Sequence, residues 1–321
     1  MAVPTLLICV GATKAGTSWM YRYLHDHAAC HVRSVKECYY FSTFNPKKLM
    51  RQLKVLDSLV VQYEARLIEA EAADDIIRIL SLSRRIDDTK ALIMALSAER
   101  SDDSAYSEYL QVGRMDETVL LDVTPAYALL EPTEIARISA LPIRVKLQYL
   151  MRDPLERLWS HVRMVAKRSM KEGQDFLLTC QDILQRVLYK KEEAHIVIRG
   201  DYKSNISRFA SVFDHLQFQI GFSENLQDGP KFDAMCSYWG IEAISPSQIK
   251  RAHVGLAAPF PEGLRRDTLE FLKAQYDFVA DNFAELPENG RKNRGLLARY
   301  YSSSSAKTLA KKGVHNGRLQ I

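Results

Sequence analysis

Between Lys47 and Ser101 the 321-residue chain has no glycine and no proline. Nothing in the backbone chemistry of that stretch breaks a helix. Cysteine is scarce as well. Cys9, Cys30, Cys38, Cys180 and Cys236 are odd in number, scattered, and form no CxxC pair. That excludes a disulfide framework, gives no zinc site, and leaves buried thiols as the reading. No run of about 18 apolar residues occurs, and no basic segment precedes an apolar core at the start. Neither a transmembrane segment nor a leader is expected, and a cytoplasmic protein is. Charge of one sign is not in large excess, with 44 Lys and Arg against 39 Asp and Glu for a formal +5. A balance that modest suits a small anionic ligand and argues against a nucleic-acid partner. The excess gathers partly at the end, in Lys307, Lys311, Lys312 and Arg318.

What is present begins at Leu6. An apolar run to Val10 ends at Gly11, and a small-residue loop carries Lys14, Ala15, Gly16, Thr17 and Ser18. Trp19, Met20, Tyr23 and Leu24 then follow at helical spacing. A buried strand, a glycine loop and a helix start together make an anion cradle, because free N–H groups and the positive helix end converge there. The loop resembles Walker A, GxxxxGK[ST], through Gly11, Gly16, Thr17 and Ser18. Its lysine is displaced: Lys14 lies inside the loop, and Thr17 stands where an NTPase keeps that residue.

Further short apolar runs at Val119–Asp122, Val145–Leu150 and Phe218–Gly221 read as strands alternating with helices. Helices are expected from Thr17 to His27, Gln174 to Ala194, Lys231 to Trp239 and Leu264 to Phe283. The fold class that follows is α/β, a P-loop-like three-layer α/β/α arrangement around a central parallel sheet. From Pro46 to Arg100 the pattern changes. Leu49, Leu53, Leu56, Val60, Tyr63, Leu67 and Ala70 alternate steps of four and three, and Ile79, Leu82, Ile86, Thr89, Ile93 and Leu96 repeat this. An inserted helical hairpin at 46–100 is expected, with arms of about 30 Å. It serves as packing, as a lid, or as a homodimer contact. One α/β domain then covers 1–300. The serines Ser302–Ser305 mark a flexible junction to a basic tail at 301–321.

A second anion anchor lies in YLMRDPLERLWSHVR. Asp153 followed by Pro154 starts a helix as N-cap and N1. Leu155, Leu158, Trp159 and Val162 form its buried stripe, with Arg152, Arg157, Ser160 and Arg163 on the polar side. Arg152 sits just past a strand's C-terminal end, where ligand crevices of open α/β sheets form. Its guanidinium can grip a phosphate and the Ser160 hydroxyl can complete the shell. Two anion sites about a nucleotide apart suit a 3′-phosphorylated adenylate.

At this point a family resemblance enters. GATKAGTSWMYRYL resembles the 5′-phosphosulfate loop of sulfotransferases, and YLMRDPLERLWSHVR resembles their 3′-phosphate motif. VKECYYF, DVTPAY, RGDYKSNISRF and QYDFVADNFAEL are similar, in order, to segments of the carbohydrate- and heparan-sulfate-type branch and its bacterial relatives. The match runs through residues 3–285 except the insertion. It implies 3′-phosphoadenosine-5′-phosphosulfate (PAPS) as donor and the bisphosphate PAP as product, with no metal required. Lys14, Ala15, Gly16, Thr17 and Ser18 would hold the 5′-phosphosulfate, and Arg152 and Ser160 the 3′-phosphate. Tyr202 would lie near the nucleotide, and Arg251 would close over it. Glu37 matches the acidic base, which takes the acceptor's proton, while Lys14 stabilises the leaving group. The acceptor would be a small molecule, a glycan or a lipid. Two positions depart from the pattern. Val123 stands where heparan sulfate enzymes carry a lysine, which weakens a polyanionic glycan acceptor, and Ala28 replaces a proline.

Other readings remain open on the sequence. TVLLD at Thr118–Asp122 mimics a Walker B strand, so a P-loop kinase or NTPase with Thr17 on Mg²⁺ is one of them. A scaffold built for its helical hairpin is another. His25, His27 and His31 offer alternative bases, although histidines at a helix end are more often structural.

Overall fold

The apolar runs become strands in the computed structural model, which describes residues 3–227, 229–245, 256–283 and 287–304. In chain order the first elements are β1 (Thr5–Gly11), α1 (Thr17–His25), β2 (Cys30–His31), α2 (Pro46–Ala72), α3 (Ile76–Ser97) and α4 (Ser104–Gln111). Then come β3 (Val119–Val123), α5 (Pro132–Ser139), β4 (Arg144–Met151), α6 (Pro154–Ser169), α7 (Phe176–Tyr189), α8 (Ala194–Ile198) and α9 (Tyr202–Ala210). The chain closes with β5 (Phe218–Phe222), α10 (Gly229–Trp239), α11 (Arg265–Phe271), α12 (Lys273–Asn282) and α13 (Glu288–Ser304). The five strands form one parallel sheet in the order β2-β3-β1-β4-β5. β1 and β3 are buried along almost their whole length because helices cover both faces. The fold is therefore the expected α/β/α class.

This order sets the site. From β1 the chain moves outward to the edge strand β2 and returns to β3 on one side, and β4 and β5 lie on the other. The loops after β1 and β4 thus leave neighbouring strands in opposite directions, which opens a crevice at their C-terminal ends. The two loops are tied together where the Ala12 amide donates to the Leu150 carbonyl at 2.7 Å.

The glycine-free stretch is the expected hairpin of α2 and α3. Asn45 caps the first arm, accepting from the Lys47 and Lys48 amides with Pro46 at the first helical position, and Asp75 caps the second through Arg78. With 27 and 22 residues the arms run about 40 Å and 33 Å at 1.5 Å per residue. Lys90 pairs with Glu64 at 2.8 Å and Arg78 with Glu69 at 3.1 Å between the arms. The base of the hairpin is not an appendage. Leu56, Leu92, Ala95 and Leu96 belong to the main core, with Tyr40, Phe41 and Tyr106.

Several helix boundaries differ from the sequence pattern. The helix expected over Gln174–Ala194 stops at Tyr189, because Lys191 and Glu193 take positive φ, and resumes as α8. The one expected over Leu264–Phe283 is broken at Leu272, which ends α11 and begins α12. α13 continues through Ser304, so the serine junction is helical up to that residue, and the rest of the tail lies outside the described residues. No helix among the described residues is long and apolar enough to cross a membrane.

Candidate active site

The glycine loop owes its shape to two glycines. A Cβ on Gly11 would fall 2.5 Å from the Tyr149 ring, so the strand end can pack that closely only without a side chain. Gly16 takes φ 85° as the N-cap of α1, and a Cβ there would meet Leu226 at 3.0 Å and Ser223 at 3.1 Å. With glycine at that position no side chain caps the helix. The amides of Thr17 and Ser18 bond to no described residue and stay available for an anion. α1 is seated by Trp19, Met20, Tyr23 and Leu24, all buried as the pattern foretold.

Lys14 is half-buried on this loop, and burial pulls its ammonium below the usual lysine range. The positive charges of Arg163, Arg152, Arg168 and Lys36 add to that depression. Cations gathered this densely are unfavourable for the ligand-free protein and favourable for an anion of more than one charge.

The turn after β4 carries Arg152, whose Nη2 donates to Glu156 at 3.1 Å. Asp153 caps α6 through the Glu156 amide at 3.0 Å, and its carboxylate also accepts from Tyr276 and Asn293. Its own amide donates to Glu224 at 2.9 Å. Tyr202 has no exposed surface, and its hydroxyl donates to the Arg152 carbonyl at 2.6 Å and accepts from the Arg152 amide at 3.2 Å. Its amide in turn donates to Gln275 Oε1 of α12 at 2.8 Å. Tyr202 therefore orients the backbone of Arg152, and its hydroxyl is fully used there. Ser160 is half-buried on α6, about 9 Å along the axis from Pro154. Its hydroxyl bonds to no described residue. Arg251 lies outside the described residues.

One residue of the expected polar side is not on it. Arg157 is only 2% exposed, with Nη2 donating to the Ile196 carbonyl at 3.1 Å and Nη1 meeting His161 Nδ1 at 3.3 Å. Its guanidinium fills the space over Gly200, where a Cβ would lie 2.3 Å from Nη2. Desolvation, then the charge of Arg157, pushes the His161 imidazole down to about 2, so it stays neutral and accepts that bond.

The loop after β2 brings the third set of groups. Glu37 accepts from Tyr39 Oη at 2.6 Å and from Lys36 Nζ at 3.3 Å. Lys36 Nζ also reaches Ser18 Oγ at 3.1 Å and Thr17 Oγ1 at 3.4 Å. A single ammonium thus links the carboxylate to the anion loop. Sequence reasoning placed Glu37 at the site and passed over Lys36. The signal was there, in a lysine adjoining the candidate base within VKECYYF.

This loop is held from two sides. Asp122, fully buried, accepts from Tyr106 at 2.8 Å, Tyr127 at 3.0 Å and Thr124 at 2.6 Å. Thr124 Oγ1 accepts in turn from the Cys38 amide, and the Val123 amide donates to the Lys36 carbonyl. The DVTPAY segment therefore supports the Lys36–Glu37 turn. The Walker B reading of Asp122 fails here, since its carboxyl is enclosed by hydroxyls and raised by burial. From the other side, Asp88 of α3 pairs with Arg33 at 2.8 Å and accepts from the Ser34 amide at 2.6 Å, both largely buried. The histidines considered as bases are engaged elsewhere. His27 lies between the Glu242 carbonyl and the Ala29 amide, His31 meets the Val112 carbonyl, and His25 pairs with Asp26.

Comparison with known proteins follows from this geometry. No family model and no curated protein matches the sequence. Among solved structures, the chain is similar to a sulfotransferase from Alicyclobacillus acidocaldarius, with TM-score 0.53 and 18% identity over 91% of this chain and all of that one. Two others are the sulfotransferase domain of the curacin biosynthetic pathway and that of the Synechococcus PCC 7002 olefin synthase. The curacin domain gives TM-score 0.44 and 17% identity over 93% of this chain and 98% of its own. The olefin synthase domain gives 0.41 and 13% over 93% and 94%. At these identities the likeness is one of fold. The class so defined is an α/β chain with a sulfotransferase-type P-loop-like architecture.

Proposed function

We propose that the protein transfers a sulfuryl group from PAPS to an acceptor hydroxyl or amine. The observation that carries this reading is the convergence of three loops. Lys36 joins the Lys36–Glu37 turn to the Gly11–Ser18 cradle, and the Arg152 turn lies beside that cradle, with β4 bonded to Ala12 and the Arg152 charge acting on Lys14. The residues fit the donor's charges. Lys14 and the amides at Thr17 and Ser18 suit the 5′-phosphosulfate, and Arg152 and Ser160 the 3′-phosphate, with Tyr202 fixing Arg152. The excess of cations around Lys14 is what a ligand with phosphates at both ends would neutralise.

In the step itself, Glu37 accepts the acceptor's proton as the acceptor oxygen bonds to sulfur. The bond from sulfur to the phosphate oxygen breaks, and PAP leaves with the electron pair. Lys14 and Lys36 neutralise the charge that grows on that oxygen. Labelled donor tests this directly: labelled PAPS is expected to bind and to be displaced by PAP, and binding is expected to fail with Lys14→Ala or Arg152→Ala. Retained binding in both variants sinks the proposal. A homodimer through residues 46–100 is a further proposal. Exposed Val61, Ile68, Ile76, Ile77 and Leu80 on the outer hairpin support it, and sedimentation tests it.

A further inference from the structure

A cleft of about 510 Å³ opens where the Glu37 turn faces the hairpin. Its size is that of a small-ligand site, and one wall is the insertion itself. Val55, Leu59 and Tyr63 of α2 line it with an apolar strip, at spacings of four that put them on one helix face. Val55 is half-exposed, so that strip is open to a ligand. At the same wall stand Arg51 of α2 and Arg85 of α3. The Arg85 guanidinium lies 5.9 Å from the Tyr63 ring centre, which holds it beside the apolar strip. Neither arginine pairs with a carboxylate among the described residues. Their neighbours on the hairpin do pair, Lys90 with Glu64, Arg78 with Glu69 and Arg84 with Asp88. A second cleft of about 480 Å³ shares Tyr63 and Arg85 and extends to Asp75 and Ile77 at the hairpin tip.

We infer that the acceptor is an anionic amphiphile. Its hydroxyl meets Glu37, its apolar body lies along Val55, Leu59 and Tyr63, and its anionic group is taken by Arg85 beside Tyr63, while Arg51 stands about 18 Å away at the other end of the strip. The inference rests on the sulfuryl-transfer reading for what happens at Glu37, and on the cleft alone for what binds. A neutral sugar would leave the Arg85 guanidinium unmatched and the apolar strip wet. A long polyanion would find apolar side chains between the cations. An amphiphile with one charged end satisfies both features.

The test uses 10-hydroxydecanoate and 1,10-decanediol, which differ only in the charged end. Calorimetry is run on the full chain and on the double variant Arg51→Gln, Arg85→Gln, with thermal melting as a folding control. Binding of the carboxylate is expected to be about tenfold tighter than that of the diol and to fall to the diol's level in the double variant. PAP affinity is expected to be the same in both proteins. Equal binding of the two probes by the full chain, no binding of either, or a preference that survives in the double variant overturns the inference. Labelled PAPS is then supplied with the carboxylate. Arginine-dependent binding of the probe without PAP binding keeps the anionic cleft and sinks sulfuryl transfer. PAP binding without the carboxylate preference does the reverse.

Discussion

Lys36 makes the closest link in the site, because its ammonium touches the candidate base and both hydroxyls of the anion loop. Removing the base while keeping its shape separates chemistry from binding. Glu37→Gln is expected to lower kcat by about 10²–10⁴ with PAP affinity within about twofold, read by steady-state kinetics and calorimetry. Lys36→Met should lower kcat and also weaken PAP binding, because it serves both loops. Lys14 behaves differently, since its charge is strained before the ligand arrives. Its folded-state value is lowered below that of the unfolded chain, so the unfolded chain holds the proton more tightly between the two values. Stability of the ligand-free protein therefore rises with pH through that alkaline window. PAP binding falls over the same window as Lys14 loses its proton. Lys14→Met is expected to abolish PAP binding yet raise the melting temperature by about 1–3 °C. A variant that melts lower and still binds PAP would show that Lys14 carries neither role.

At the scale of elements, the hairpin and the Lys36–Glu37 turn are one unit through Asp88. That carboxylate satisfies both Arg33 and the Ser34 amide, close in sequence to Lys36 and Glu37. Asp88→Ala leaves a buried guanidinium unpaired, and about 3–5 kcal/mol of stability should be lost in urea unfolding. A fall in kcat should accompany it, because the turn loses one of its two supports. On the opposite flank, α6 carries a neutral buried histidine against Arg157. With His161 pushed down to about 2 in the folded chain and near 6.5 when unfolded, the unfolded state takes up a proton as pH falls below 6.5. Stability from this pair is present above about pH 6.5 and is lost progressively below it. His161→Gln should remove about one proton from the acid slope of unfolding free energy between pH 6 and 4. An unchanged slope would mean that His161 stays protonated in the fold.

The whole molecule is arranged so that its sheet brings three loops from distant parts of the chain to one crevice. A ligand that spans the first two couples the halves of the sheet and should stabilise both together. At 100 times its dissociation constant, PAP is expected to add about 2.7 kcal/mol, raising the melting temperature by about 4 °C in a single transition. The shift should shrink as salt is raised toward 1 M, because the attraction comes from several partly exposed cations. A transition that splits in two, or a salt-independent shift, would contradict that arrangement.

How much of this was legible beforehand depends on the range of the interaction. Strands and α1 announced themselves through local apolar runs, and the hairpin through its steps of three and four with no helix breaker. Gly16 could be assigned because a left-handed loop residue before a helix demands it. Arg152 and Asp153 followed from cap chemistry at a strand's end. Such signals are short-range, so sequence by itself determined the fold class and the strand, glycine loop and helix start at Gly11–Ser18. Tertiary structure decided the rest, because those contacts join residues far apart in the chain. Arg157 is buried on account of Gly200, Tyr202 turns inward to Arg152, and Asp122 becomes a support once Tyr106 and Tyr127 enclose it. Asp88 carries no local pattern that distinguishes it from a solvated charge, and Lys36 has only its place beside Glu37. The packing of α3 against the turn after β2 gives Asp88 its partners, and the approach of that turn to the start of α1 gives Lys36 its contacts with Thr17 and Ser18.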